Sequence, residues 1–152
     1  MKYGFFDSPL GIIKISYGEK IKKIELVEEI ERPSEESEIF NVFKSEILEY
    51  LTGKRKTFSR LDLLDLRGTD FQKSVWKALL KIPYGKTCSY KDLSKMISKP
   101  KAMRAVGTAV GKNHFLIIIP CHRVIKNDGT LGDFAYGPHV KKALLKIEGH
   151  NF

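Results

Sequence analysis

The chain is poor in sulfur, almost without glutamine and free of long apolar runs, and each shortage closes off a class of protein. Only two of its 152 residues are cysteine, Cys88 and Cys121, too few for the disulfide framework of a small secreted domain. No apolar stretch approaches the ~20 residues that span a bilayer as a helix. The N-terminus, Met1-Lys2-Tyr3-Gly4, opens directly on strand-like sequence and shows no signal peptide. These features read as an intracellular protein with no membrane partner. Metal-ligand spacings are missing too: neither cysteine belongs to a CxxC pair and the four histidines are scattered. No GxxxxGK[ST] loop is present to cradle a phosphate. No metal is therefore expected. Gln72 is the single glutamine among abundant Lys, Glu and Ile, a composition that leans toward a thermophilic source.

What is plentiful is positive charge, and it is unevenly spread. Residues 1–65 carry 11 Lys and Arg against 13 Asp and Glu, while residues 66–152 carry 16 against 5. The first part is close to neutral and the second holds a balance of +11 within a total of +9. A basic half of this kind is the footprint of a polyanion binder, or simply a basic soluble surface.

The length suits one domain or two small ones. Short β-prone runs over 3–6, 11–17 and 21–27 are separated by Asp7-Ser8-Pro9 and Gly18-Glu19-Lys20, which predicts an antiparallel sheet with one covered face. Phe40, Phe43, Ile47 and Leu51 recur at helical spacing over 38–51, with Gly53 placed as a C-cap, and this helix is expected to cover the sheet. Leu61, Leu63 and Leu66 predict one more strand. The domain boundary is expected before Gly68, giving domains 1–67 and 68–152.

From Thr69 the pattern becomes helical. Thr69 and Gln72 form a capping box ahead of Val75, Trp76, Leu79 and Leu80. Ser89 caps a second helix. Pro100 is expected at the first position of a third, running to about residue 110. Two short helices joined by a tight turn resemble a helix-turn-helix. The third helix has small side chains, Ala102, Ala105, Gly107, Thr108, Ala109 and Gly111, with Met103 and the long cation Arg104 among them. Small residues serve either close packing against a neighbouring helix or close approach to another surface. An apolar strand is predicted over 115–119, then a Gly-rich loop over 132–137 and a last helix over 138–148. The fold class is α+β: a small antiparallel sheet domain with a covering helix, followed by a mostly helical, winged-helix-like domain.

At the end of the predicted strand stands Pro120-Cys121-His122-Arg123-Val124. A thiol beside an imidazole is a candidate nucleophile with its base. On an extended strand the two side chains would point to opposite faces, so a turn at Pro120 or a bridging water is needed. The imidazole also needs an orienting acceptor. Asp133 and Glu148 both qualify among the five carboxylates of the basic half. Cys88 reads as structural.

These residues resemble the O6-alkylguanine-DNA alkyltransferase family (methylated-DNA–protein-cysteine methyltransferases). The likeness runs through Phe71-Gln72-Lys73-Ser74-Val75-Trp76, Ile82-Pro83-Tyr84-Gly85-Lys86-Thr87, Ser89-Tyr90, Ala105-Val106-Gly107, Asn113, Ile119-Pro120-Cys121-His122-Arg123-Val124 and Ile147-Glu148-Gly149. It implies a monomer that binds double-stranded DNA, lays its second helix in the minor groove and flips a damaged guanine out of the stack. Cys121 would then take the alkyl group from guanine O6, or from O4-alkylthymine, once and irreversibly, with no cofactor. The resemblance makes His122 the base acting through a water, Glu148 its orienting partner, Asn113 a brace and Tyr90 a proton donor to the guanine. Arg104 would fill the space of the extruded base. Ser89, Ala102, Met103, Ala105, Gly107 and Arg123 fall among the DNA-contacting positions, and Val124, Phe134, Ala135 and Tyr136 along the pocket. Phe134 and Tyr136 depart from the family's usual Tyr and Gly, which implies faster transfer of methyl than of bulky groups such as benzyl.

Overall fold

Alternation of apolar and polar residues in the first 27 positions produces three antiparallel strands, β1 (Lys2–Ser8), β2 (Gly11–Tyr17) and β3 (Ile21–Val27), in the order β1-β2-β3. The computed structural model describes all 152 residues. Its register pairs Gly4 with Ile15, Phe6 with Ile13 and Ile15 with Ile24, with an irregularity at Ser16/Tyr17. Gly4, Phe6, Ile13, Ile15 and Ile24 thus share one face, which is buried. Helix α1 (Glu38–Leu51) covers it. Its Phe40 ring lies edge-on to Phe6 and stacked with Tyr17, each at 6.1 Å. Gly4 is what admits the ring: a Cβ there would stand 2.2 Å from Phe40 Cε1. Ser37 caps α1 by accepting from the Phe40 amide.

The strand expected from Leu61, Leu63 and Leu66 is a 3-10 turn, Leu61–Leu63, followed by one parallel bridge between Leu64 and Ile21. The amides of Leu63 and Leu64 bond back to the carbonyls of Arg60 and Leu61, which removes them from any ladder. Arg60 and Asp62 close the turn outside with two hydrogen bonds of 3.0 and 2.9 Å.

The chain divides into two units, Met1–Leu66 with His114–Ile118, and Arg67–Asn113 with Ile119–Phe152. A split into consecutive halves therefore does not describe residues 114–118. Nor does the predicted strand over 115–119 form. Phe115 makes a single parallel bridge with Ile24, after which Ile117 adopts φ +72° and the chain turns. A β-branched residue in that region is strained by about 1–3 kcal/mol. The apolar run is burial rather than pairing: all five of its side chains are within 2% of complete burial.

In the second unit, α2 (Asp70–Leu79) begins on the predicted capping box, with both reciprocal bonds present. Helices α3 (Tyr90–Met96) and α4 (Met103–Gly111) follow as a helix-turn-helix, and Trp76 of α2 donates its indole N–H to the Ala109 carbonyl at 2.9 Å. Helix α4 starts at Met103 rather than at Pro100. Ser98 takes φ +60° and the Lys99 amide closes α3 on the Ser94 carbonyl, so residues 99–102 are spent on a turn. A two-strand parallel pair, β4 (Cys88–Ser89) with β5 (Val124–Ile125), joins the start of α3 to the chain just past Cys121. The last helix, α5 (Pro138–Ile147), has Pro at its start. No helix is long and apolar enough to cross a membrane.

Candidate active site

Cys121 opens a 3-10 turn, Cys121–Arg123, not the end of a strand. Pro120, at φ −80° and ψ 63°, forms an inverse γ-turn closed by the Cys121 amide on the Ile119 carbonyl at 2.8 Å. This is the turn at Pro120 that a working Cys-His pair requires. Asn113 donates its side-chain N–H to the Ile119 carbonyl at 2.8 Å and also reaches the thiol. It therefore ties itself to the turn that carries Cys121. The thiol is almost wholly buried. Burial pushes its pKa above the ordinary thiol value, opposed by the Asn113 hydrogen bond, the nearby Lys141 charge and the amides of Cys121 and His122. At rest it is a protonated thiol.

Of the two carboxylates open to it, His122 meets Glu148. Its Nε2 donates to Glu148 Oε2 at 2.7 Å, and both side chains are fully buried. Glu148 is the C-cap of α5 and also accepts from the Gly85 amide at 2.9 Å. Burial, with the charges of Arg123 and Lys141, holds His122 below the ordinary imidazole pKa despite the pull of Glu148. With Nε2 occupied as donor, Nδ1 is the atom available to take a proton.

Arg123, expected among the DNA contacts, is corrected by its burial. It is 6% exposed, bonds Glu148 through Nε at 2.8 Å and Nη2 at 3.1 Å, and donates through Nη1 to the Ile82 carbonyl at 2.6 Å. A guanidinium held at both ends inside the fold is not a surface contact. It ties the 82–85 turn to the end of α5, where Tyr84 also donates to the Ile147 carbonyl at 3.1 Å and His150 to the Gly85 carbonyl at 2.9 Å.

Tyr90 is half-buried, and its phenol pKa is raised by burial and by the proximity of Asp133 and Cys121, which places its hydroxyl in the nucleophile's surroundings. Gly107 backs it: a Cβ there would lie 3.7 Å from Tyr90 Cε1. Ser89 uses its hydroxyl to cap α3, accepting from the Asp92 amide at 3.0 Å. On α4, Val106, Ala109 and Val110 face inward while Met103, Arg104, Ala105 and Thr108 are exposed and Ala102 is partly so. Arg104 stands on a groove of about 630 Å³ that Phe71, Gln72 and Lys101 also line. Val124 is fully buried. Ala135 is exposed between Phe134 and Tyr136, whose rings meet edge-on at 5.9 Å. Cys88 is pushed up to about 11 by burial and Asp92, so it stays a protonated thiol.

Sequence reasoning passed over Lys141. Its ammonium is fully buried and donates to the carbonyls of Val124 at 2.5 Å and Asp133 at 3.0 Å, pinning the 132–137 loop to β5. The signal was available: Lys141, Leu144, Leu145 and Glu148 share one helical stripe. Burial pulls its pKa from 10.5 down to about 8. Between those values the unfolded chain binds a proton that the folded protein has released, so this group makes stability rise with pH. Urea titrations from about pH 8 to 10 should show that upward slope relative to Lys141→Met; equal slopes would contradict it.

Comparison with known proteins gives matches along nearly the whole chain. Residues 70–150 match the family model "6-O-methylguanine DNA methyltransferase, DNA binding domain" and residues 1–64 match "6-O-methylguanine DNA methyltransferase, ribonuclease-like domain". A methylated-DNA–protein-cysteine methyltransferase of Methanosarcina barkeri is 44% identical over 159 residues, covering 99% of both chains. The crystal structure of Mycobacterium tuberculosis OGT in complex with DNA superposes with a TM-score of 0.87 at 40% identity, covering 97% of this chain and 93% of that one. The O6-methylguanine-DNA methyltransferase of the hyperthermophilic archaeon Pyrococcus kodakaraensis gives a TM-score of 0.74 at 26% identity, covering 97% and 98%. With both parts matched and relatives aligned nearly end to end, the chain belongs to the 6-O-methylguanine DNA methyltransferase family.

Proposed function

We propose that this protein repairs DNA inside the cell by moving the alkyl group of O6-alkylguanine onto its own Cys121. The observation that carries the reading is the buried thiol on a turn whose next residue, His122, is held by Glu148 at 2.7 Å. The sulfur attacks the alkyl carbon, the S–C bond forms and the C–O6 bond breaks. The thiol proton passes to His122 through a water, and guanine, taking a proton from the Tyr90 hydroxyl, leaves neutral. The proton on His122 then makes good the phenol. The product is a thioether, which nothing in the site can cleave, so each molecule acts once.

Duplex DNA is the partner in this reading, bound by a monomer. The small residues of α4 support it. Met103, Arg104, Ala105 and Thr108 face outward, so helix packing does not account for the small size of Ala105 and Thr108, whereas a minor groove ~6 Å wide does. Cys121 is too deep to reach a stacked base, so the guanine must be flipped. Incubation with an O6-methylguanine duplex, followed by intact mass and peptide mapping, tests the function. A gain of one methyl at Cys121 is expected, and no transfer would falsify it.

Arg104 is assigned the space of the flipped base. Arg104→Ala should lower repair of duplex by ~10-fold or more, since unstacking costs a few kcal/mol that the side chain offsets. Repair of a single strand should change little. Equal losses on both substrates would remove this role. Phe134 and Tyr136 set the adduct range: their ring pair stands on the pocket loop and crowds a group larger than methyl. Methyl transfer should exceed benzyl transfer, and Tyr136→Gly should raise the benzyl rate by ~10-fold, the scale of a clash of 1–3 kcal/mol. Unchanged selectivity in that variant would clear Tyr136.

A further inference from the structure

We propose that Arg123 is a positioning residue whose charge, fixed on Glu148, keeps His122 neutral while it waits for the thiol proton. The inference rests on the reading of Cys121 as the alkyl acceptor and adds a residue to that site.

The geometry begins with a count of acceptor sites. A carboxylate offers about four lone-pair directions, and Glu148 fills them with His122 Nε2, Arg123 Nη2, Arg123 Nε and the Gly85 amide, at 2.7, 3.1, 2.8 and 2.9 Å. Two of the four donors come from one guanidinium in a forked contact. Its remaining arm is anchored on the Ile82 carbonyl, so the fork does not swing away. A carboxylate that faces only a histidine stabilises the imidazolium. Here its charge is already matched by Arg123, and a second proton on His122 would leave a net positive charge in a buried cluster.

The other neighbours act in the same direction. The charged and titratable groups around the imidazole are Glu148 at the end of α5, Arg123 and Cys121 on its own turn, and Lys141 in the body of α5. Tyr84, on the turn after α2, faces Glu148 and Arg123. Glu148 is the sole anion, and Arg123 and Lys141 oppose it. A neutral imidazole with its proton on Nε2 presents Nδ1 as an acceptor. Once it takes the thiol proton, the sulfur becomes a neutral thioether, and Glu148, already matched by Arg123, does not balance the imidazolium. The proton is driven onward to the Tyr90 phenolate left by protonation of the departing guanine. His122 is thereby a relay and not a store.

The test is single-turnover methyl transfer to saturating protein across pH, for the wild type, Arg123→Gln and Arg123→Lys. Loss of the charge raises the pKa of every group in the cluster. Arg123→Gln should therefore move the acid limb of the profile upward by about one pH unit or more. Arg123→Lys keeps the charge but loses the fork, so its limb should stay near the wild type while its plateau falls. An Arg123→Gln limb that coincides with the wild type, with only a uniform loss of rate, would overturn the proposal and leave Arg123 a structural tie. Should Arg123→Gln fail to fold, ¹⁵N NMR of the His122 ring in the wild type decides. A neutral Nε2–H tautomer at about pH 6 is expected, and an imidazolium there refutes the idea. The NMR readout needs no substrate. Absence of transfer by the wild type would count against the function, and a charged ring against Arg123.

Discussion

Cys121→Ala will leave a folded protein that transfers no alkyl group at all. The expectation is total because the sulfur is the acceptor, not an accelerant: without it the alkyl carbon has no bond to form. Cys88 does not substitute, since its thiol is pushed up to about 11 by burial and Asp92. The fold should tolerate the change. A buried Cys behaves as a small apolar residue, and Ala removes one atom, for a cost of about 1 kcal/mol. Binding to an O6-methylguanine duplex should persist and outlast that of the wild type, which is consumed. Intact mass after prolonged incubation, with a gel-shift on the same sample, checks both halves. Any methyl gain by Cys121→Ala would move the acceptor elsewhere.

Glu148→Gln is the second large effect, and it strikes stability and chemistry together. The amide keeps one oxygen and turns the other acceptor into a donor, which then faces His122 or Arg123. It also strands the Arg123 guanidinium, 6% exposed, without its counter-charge. Breaking a buried pair in this way costs about 3–5 kcal/mol. For a chain of this size that is a fall in Tm of roughly 10 °C. Transfer should drop ~10²-fold or more at a temperature where the variant is still folded, because His122 loses the acceptor that sets its tautomer. Calorimetry and single-turnover kinetics on one preparation separate the two losses. A variant that melts early but reacts normally would show that Glu148 serves the fold alone.

The contrast between these residues shows how far sequence reaches. Elements with an internal period were legible: the β1–β3 meander, the 38–51 helix, the Thr69/Gln72 box and α5. Runs of apolar residues without alternation were not. Residues 115–119 read as a strand because burial and pairing leave the same hydrophobic mark, and only the φ of Ile117 distinguishes them. Leu61, Leu63 and Leu66 misled in the same way, with local bonds of the 3-10 turn replacing the ladder. The two-residue pair β4–β5 is too short to carry any period. At the site, the motifs singled out Cys121 and His122, the residues alone left Asp133 and Glu148 open, and only the family resemblance pointed to Glu148. Arg123 was misjudged and Lys141 passed over because charged side chains are read as exposed by default. Each is buried because acceptors distant in sequence converge on it, the Glu148 carboxylate and the Ile82 carbonyl on Arg123, and the Val124 and Asp133 carbonyls on Lys141.

Residues 114–118 limit how the molecule can be taken apart. The chain leaves the second unit after Asn113, lends Phe115 to the edge of β3 and returns at Ile119, two positions ahead of the nucleophile. A fragment cut at residue 67 would carry Phe115, Leu116, Ile117 and Ile118 with no sheet to bury them, and so would expose an apolar patch in the middle of its working half. The sheet is therefore not a detachable module. A lineage that dispensed with it would have to rewrite this pentapeptide in the same step.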